Sequence, residues 1–291
     1  MATSTSTKTT KKTQKSKSFK QLLDDLRQGP TEKVRYNAAR VLGEMGEPEA
    51  VDPLIDVLKN DKNGSVRLYA ARALGELGDV RATIPLIESL QEDRNVDVRV
   101  RAARALGRLG GEEVVLPLVE ALSDTNSQVC MTAADALIEI GKIAVKPLVK
   151  SLKHDKVNVR CDAARALGEL GDAKAVDALI GVLHDEWVNV RIYAVQSLGK
   201  LGDTKAVPHL IEVLENEKEN DLVRAGAAAA LGLLKDSKAL LPLRKLIMAA
   251  DELGEIEDTA LKAYKLIMAS NWKSVPGAIY NKKATTQAAA K

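Results

Sequence analysis

The stretch VRLYAARALGELGDVRATIPLIESL, residues 66–90, recurs along most of the 291-residue chain. Each copy begins with Val-Arg, except one that begins with Val-Cys. The second residues of these pairs lie 32, 32, 31, 30, 31 and 33 residues apart: Arg35, Arg67, Arg99, Cys130, Arg160, Arg191 and Arg224. A period of about 31 residues is typical of stacked supersecondary units that bury their apolar faces against one another. The sequence therefore predicts a repeat protein.

Each copy is predicted to hold two helices. The first, named here the Val-Arg helix, has apolar residues at helical spacing. In the quoted copy these residues are Val66, Ala70, Ala71, Ala73, Leu74 and Leu77. Gly75 and Gly78 follow, and they predict a C-cap and a turn because glycine tolerates the left-handed conformation that ends helices.

The second helix, named here the proline helix, carries a proline near its first turn, where a missing N–H costs no hydrogen bond. These prolines are Pro53, Pro85, Pro117, Pro147 and Pro242. An aspartate in each return turn is predicted to cap the next Val-Arg helix: Asp61, Asp93, Asp124, Asp155 and Asp185. Counting from Phe19 gives eight helix pairs, the last of them degenerate, and no segment alternates like a strand.

The frame D-x-x-x-x-V-R-x-x-A-A-x-A-L-G-x-L-G-D resembles the HEAT-like repeat family of the phycobilisome-lyase type, over residues 30–250. The resemblance implies an all-α fold: a right-handed α-solenoid of about eight stacked helix pairs, with the Val-Arg helices on the concave side. That family includes subunits of enzymes that attach bilins to phycobiliproteins, proteins of antenna turnover, and many adaptors. The frame is specific for the fold and weak for function.

The charge of the chain is concentrated in its two ends. Residues 1–20 hold six lysines and residues 271–291 hold four, with no acidic residue in either segment. The net charge of the whole chain is +3, so residues 21–270 carry a net −7. Such a body disfavours nucleic acid as a partner. We predict a disordered Lys/Ser/Thr-rich tail at 1–17, a single solenoid at 18–270 and a disordered tail at 271–291.

Localisation is predicted from what the sequence lacks. No apolar run approaches the roughly 20 residues that span a bilayer, and two cysteines give no disulfide framework. We therefore expect a cytoplasmic protein with no membrane partner. The alternative for residues 1–17 is an organelle transit peptide, although the segment is short and has no arginine.

A candidate binding groove follows from the helical wheel. The residue after each arginine points away from the core, yet it is apolar: Tyr36, Leu68, Val100, Met131, Cys161 and Ile192, with Tyr69 and Tyr193 one place further on. An exposed apolar stripe rich in Tyr and Met usually marks a protein interface. The alternative is a second core seam, half-buried between neighbouring helices.

Charged residues flank this stripe. Arg40, Arg72 and Arg165 each have a glutamate four residues on, so we predict local ion pairs. The third copy instead groups Arg101, Arg104 and Arg108 without an acid, and the next copy offers Asp135. The predicted groove therefore comprises the apolar stripe with Arg101, Arg104, Arg108, Asp135 and Arg165. The alternative is a solvated face with ion pairs between repeats.

The copy around Cys130 departs most from the pattern. It has Cys130 for the first arginine, Asp135 for the second, and Ile138 for the first glycine. A copy that departs from the repeat pattern often marks a functional site or a hinge. Such departures also arise by ordinary sequence drift. Cys130 and Cys161 lie on consecutive repeats, which are stacked too far apart for a disulfide.

No catalytic, cofactor-binding or metal-ligating residue is predicted. The chain has no P-loop, G-x-S-x-G, H-E-x-x-H or C-x-x-C motif. Its three histidines, His154, His184 and His209, read as turn or surface residues, whereas a HEAT-like di-iron hydroxylase would carry several His-Glu pairs.

The first functional hypothesis is a non-enzymatic scaffold or adaptor that binds another protein through the groove. The resemblance implies an alternative, a phycobilin lyase-type subunit or phycobilisome assembly or turnover factor, with a bilin or phycobiliprotein as partner. The third hypothesis is a nucleic-acid-binding solenoid.

Overall fold

The structure is a computed structural model that describes residues 17–249 and 254–271. This part of the chain is all-α, with 16 α-helices and no strand. The predicted tails, 1–17 and 271–291, lie outside the described residues, apart from Lys17 and Asn271. The prediction of a single solenoid over 18–270 stays a prediction, because the chain divides into two compact units, Met1–Leu109 and Gly110–Lys291.

The helices alternate between the two predicted types. The first unit contains α1 (Phe19–Gln28), α2 (Glu32–Met45), α3 (Val51–Asn60), α4 (Gly64–Leu77), α5 (Thr83–Glu92) and α6 (Val96–Leu109). The second unit contains α7 (Val115–Ala121), α8 (Ser127–Ile140), α9 (Val145–Ser151), α10 (Val157–Leu170), α11 (Val176–Gly181), α12 (Val188–Leu201), α13 (Val207–Glu215), α14 (Asp221–Leu234), α15 (Leu240–Ala249) and α16 (Glu255–Asn271). The all-α fold of eight helix pairs is confirmed.

Alanine and leucine build the core at the predicted positions. Ala70, Ala73 and Leu74 of α4 are fully buried, and Leu106 of α6 is buried in the same way. Within each unit, the even-numbered Val-Arg helices pack against one another more extensively than the proline helices do. Small side chains allow this close stacking, because they let neighbouring backbones approach.

The two glycines found in most copies have different roles. Gly78 follows α4 with a φ of 68°, which confirms its predicted role as a left-handed C-cap. The prediction is wrong for the first glycine. Gly75 lies buried inside α4, and a Cβ on it would lie 2.7 Å from the Cβ of Ala105 in α6. Gly43 meets Ala73 in the same manner, at 2.8 Å. The first glycine therefore sets the distance between neighbouring Val-Arg helices.

In four copies the arginine of the Val-Arg pair ties its helix to the return turn of the next repeat. Arg67 donates two hydrogen bonds of 2.7 Å to the carboxylate of Asp93, and its Nη1 donates to the carbonyl oxygen of Asp61 at 2.9 Å. Equivalent ion pairs join Arg35 to Asp61, Arg160 to Asp185 and Arg191 to Glu219. We call this series the arginine ladder.

The predicted capping role of the return-turn aspartates is therefore wrong. The side-chain oxygen of Asn63 accepts a hydrogen bond of 2.8 Å from the backbone amide of Ser65, so Asn63 caps α4. Asp61 lies two residues earlier, accepts the amide of Asn63 at 2.8 Å and binds Arg35. The aspartate thus orients the capping residue and accepts hydrogen bonds from the arginine of the preceding repeat.

Ionisation of the ladder carboxylates is favoured by their partners. Burial alone would raise the pKa of the Asp93 carboxyl, but the hydrogen bonds from Arg67 and from the amide of Asn95 outweigh it, so the pKa lies below its usual range. The pKa of Asp61 is lowered by the corresponding balance of burial against hydrogen bonds from Arg35 and Asn63.

The ladder is interrupted at α8. Cys130 stands where the arginine would be, and its thiol donates only within its own return turn, to the carbonyl oxygens of Asp124 and Asn126. The next aspartate, Asp155, is exposed and makes no side-chain ion pair within the described residues. Ile138 replaces the first glycine, and α8 packs against α10 less extensively than α10 packs against α12. The arginine–aspartate ion pair and the close glycine contact, which join other Val-Arg helices, are therefore both missing between α8 and α10.

Candidate functional site

The predicted groove residues fall into two groups. Tyr36, Leu68, Tyr69, Val100, Arg101, Arg104 and Arg108 belong to the first unit, and Met131, Asp135, Cys161, Arg165, Ile192 and Tyr193 belong to the second. Each group is described within its own unit. The solvent side of α2, α4 and α6 is named here the Val-Arg face of the first unit.

An aromatic pair occupies this face. The rings of Tyr36 in α2 and Tyr69 in α4 stack with their centroids 5.1 Å apart and an interplanar angle of 19°. Both tyrosines are half-buried, as are Leu68 and Val100. The apolar stripe is thus partly covered by neighbouring helices and partly open to solvent, with features of both the groove and the second seam.

Two of the three predicted local ion pairs are confirmed. Arg40 binds Glu44 at 2.6 Å and Arg72 binds Glu76 at 2.8 Å, each within one helix. The hydrogen bond from Arg72 to Glu76 raises the pKa of the Arg72 guanidinium. Both pairs lie near the surface, so each contributes only a few tenths of a kcal/mol, about 0.3–0.5.

The third predicted pair, between Arg165 and Glu169, is wrong. Arg165 binds Asp135 of the preceding repeat at 3.1 Å, and Lys200 of the following repeat binds Glu169. The reason is Asp135, an acid at a position where four other copies have an arginine. The ion pairs of Arg165 with Asp135 and of Glu169 with Lys200 therefore run between repeats, whereas those of Arg40 and Arg72 stay within one helix.

The arginine cluster, Arg101, Arg104 and Arg108, is different. None of the three side chains makes a hydrogen bond or an ion pair within the described residues. Arg104 and Arg108 are exposed, and Arg101 is half-buried. The three side chains border a cleft of about 170 Å³ beside Arg72 and Glu76 of α4. Cationic groups are therefore available for an external anion.

The second unit presents a less uniform face. Met131 is 52 % exposed, and Ile192 and Tyr193 are half-buried. Burial raises the pKa of the Cys161 thiol to about 11, so it is protonated at neutral pH and is a poor nucleophile. Cys130 and Cys161 are both free thiols.

His154 is exposed, and its Nδ1 accepts the amide of Lys156 at 3.0 Å, which confirms its predicted role as a turn residue. The described ranges contain no group of three or more His, Cys, Asp or Glu side chains that could hold a metal ion. No helix in these ranges is long and apolar enough to span a bilayer.

The arginine ladder is the main feature that sequence reasoning missed. Its signal is the spacing of 25 or 26 residues from Arg35, Arg67 and Arg160 to the aspartate of the next return turn. Arg191 instead reaches Glu219, 28 residues further on. Those two positions are far apart on the chain and adjacent only when two repeats stack.

The stacked helix pairs agree with the family to which the sequence is similar. A model of HEAT repeats matches residues 19–95, 85–157, 145–232 and 182–265, which together span most of the chain. The chain belongs to the HEAT-repeat family. The resemblance predicted from the Val-Arg frame is thereby confirmed. No curated protein matches the chain.

Several solved structures are similar to the chain, and one of them, Kap121p, supports the all-α solenoid. A mutant of Kap121p is 15 % identical with a TM-score of 0.63, covering 88 % of this chain and 34 % of Kap121p. The complex of CpcE and CpcF of phycocyanin lyase from Nostoc sp. PCC7120 is 24 % identical with a TM-score of 0.46, covering 91 % of this chain and 100 % of that one. Human deoxyhypusine hydroxylase is 26 % identical with a TM-score of 0.39, covering 86 % and 95 %. The likeness to Kap121p concerns the fold alone, and the two lower TM-scores carry no functional conclusion.

Proposed function

We propose that this protein is a non-enzymatic scaffold that binds a partner protein through its Val-Arg helices. The observation that carries the proposal is the Val-Arg face of the first unit, where the Tyr36–Tyr69 stack on α2 and α4 lies beside α6, which carries the unpaired arginines of the cluster. Tyr and Arg dominate the binding energy of protein interfaces, and partly exposed apolar side chains between them supply area to bury.

Rigidity supports the same function. The pairs Arg35–Asp61 and Arg67–Asp93 join three successive repeats of the first unit. A face held in place before binding loses less conformational entropy when the partner docks. The ladder therefore serves recognition as well as stability.

The test is affinity capture with the full chain, followed by mass spectrometry and by measurement of the captured partner's affinity for variants. Val100→Asp puts a carboxylate on the Val-Arg face and should weaken partner binding at least tenfold, since burying that charge unpaired is costly. Ile84→Asp is the matched control, because Ile84 is 59 % exposed on the proline helix α5.

Equal binding by wild type, Val100→Asp and Ile84→Asp would contradict the proposed face. A melting curve for each variant separates lost binding from lost folding. Because Val100 is half-buried, Val100→Ser provides a milder second variant, which should weaken binding in the same direction.

A bilin lyase-type subunit is the second candidate, favoured by the unpaired arginines, which suit the propionates of a bilin. The cleft beside them, at about 170 Å³, is smaller than the roughly 300–1,000 Å³ of sites that enclose a ligand. Incubation with free bilin should leave the visible absorbance unchanged if the scaffold function is correct. A shift that depends on Arg104 would favour the lyase instead.

A further inference from the structure

The arginine cluster is an exception among the Val-Arg helices. Its residues are spaced i, i+3 and i+7 on α6, so they lie on one side of the helix. The arginines at the equivalent fifth position of other copies have partners: Arg40 binds Glu44, Arg72 binds Glu76 and Arg165 binds Asp135. Only the cluster leaves three guanidinium groups without a counter-charge within the described residues.

The cleft next to the cluster is formed by the close approach of α4 and α6. Gly75 and Ala105 lie against each other there and add almost no side-chain bulk. Glu76 borders the cleft on the α4 side, but Arg72 already binds it at 2.8 Å. Glu76 is therefore engaged by its own helix, and the cluster remains free to bind an anion from outside.

We infer that this cleft binds the carboxylates of an acidic segment of a partner protein, an inference that rests on the proposed scaffold function. Guanidinium groups pair with carboxylates through two parallel hydrogen bonds, which gives both strength and orientation. Three like charges within two helical turns repel one another, and a bound carboxylate relieves that repulsion.

Charge complementarity selects a short acidic segment over a polyanion. Residues 21–270 carry a net −7, so the cluster is a local basic site on an acidic body. A nucleic acid would meet repulsion beyond the cluster, because its backbone carries charge along its whole length. Two or three carboxylates fit within the cluster alone.

The neighbouring apolar residues define the rest of the segment. Val100 precedes Arg101 on α6, and Leu68 lies one turn before Arg72 on α4. Both are half-buried on the same face. A segment in which acidic and apolar side chains alternate therefore matches the surface.

The probe is a fluorescein-labelled 12-residue peptide in which Asp and Leu alternate, measured by anisotropy with the full chain at low salt. Its comparator has Asn in place of every Asp. The wild type should bind the Asp peptide about tenfold more tightly than the Asn peptide, the sum expected of three exposed charge pairs. The variant Arg101→Gln with Arg104→Gln and Arg108→Gln should bind both peptides equally.

The matched control removes three exposed cations elsewhere in the first unit, through Lys33→Gln, Lys62→Gln and Arg94→Gln. It lowers the net charge by the same amount and should keep the tenfold preference. Loss of the preference in both variants would overturn the site in favour of a general charge effect. No binding of the Asp peptide at 200 μM, or displacement of it by inorganic phosphate or a 12-nucleotide single-stranded DNA at lower concentrations, would overturn the acidic segment as ligand.

The failure of this inference differs from the failure of the proposed function. If the captured partner loses affinity for Val100→Asp and binds the triple Gln variant normally, the scaffold function stands and the acidic anchor is wrong. If both variants bind the partner like the wild type, the proposed face itself is wrong.

Discussion

Arg67 and Asp93 form two hydrogen bonds of 2.7 Å between successive repeats, and their side chains are only 8 % and 7 % exposed. The arginine also binds the turn before its own helix, through the carbonyl oxygen of Asp61. One side chain thus holds two return turns at a fixed distance, which local helix propensity cannot do.

We predict that Arg67→Met destabilises the protein by about 3–5 kcal/mol, because it leaves the carboxylate of Asp93 buried and unpaired. Urea unfolding followed by circular dichroism measures the effect. Arg72→Met is the control, since it breaks an exposed pair with Glu76 and should cost less than about 1 kcal/mol. Equal effects of the two substitutions would show that the ladder is no stronger than a surface ion pair.

Stability should fall in acid below about pH 4. The pKa values of Asp61 and Asp93 are lowered in the folded state, so their contribution is complete above the unfolded value of about 3.9 and is lost as the pH falls through the folded values. Melting temperatures should therefore be nearly constant between pH 5 and pH 7 as far as these groups are concerned. In Asp93→Asn, which cannot titrate at this position, the decline in acid should be shallower.

Gly75→Ala should destabilise the first unit by about 1–3 kcal/mol, despite the higher helix propensity of alanine. The added Cβ would lie 2.7 Å from the Cβ and 2.9 Å from the Cα of Ala105, and backbone cannot move aside as a flexible side chain can. Gly181→Ala is the control, because nothing lies within 4 Å of its added Cβ. A neutral Gly75→Ala in thermal unfolding would mean that α4 and α6 separate easily.

Cys130→Arg should extend the arginine ladder across α8 and α10. The new guanidinium would replace the thiol at the carbonyl oxygen of Asp124 and reach Asp155, as Arg160 reaches Asp185. We expect the melting temperature of the second unit to rise by about 2–4 °C. The same substitution combined with Asp155→Asn should give no rise, and a rise in both would mean that the gain has another cause.

The fold could be predicted from sequence because the apolar period repeats in every copy, so that errors in single positions average out. The role of Gly75 could not, because the wheel treats each helix alone and the contact with Ala105 arises only when two helices stack. Arg165 shows the same limit: Glu169 is its neighbour on the helix, yet Asp135 of the preceding repeat is closer in space. The candidate site followed from the wheel, whereas the cleft beside Arg104 needed the structure.

The arginine ladder also makes repeats interchangeable. Deletion of residues 64–95 removes 32 residues, from the start of α4 to the residue before α6, and joins Asn63 to Val96 in the same way that Asn95 precedes Val96 now. The Arg35–Asp61 pair would be untouched, and Gly43 would meet Ala105 where it now meets Ala73. Because the α2–α4 and α4–α6 junctions use the same residue types, this part of the chain can lose or duplicate a whole repeat without a new interface, and the length of its binding surface can change in steps of one repeat.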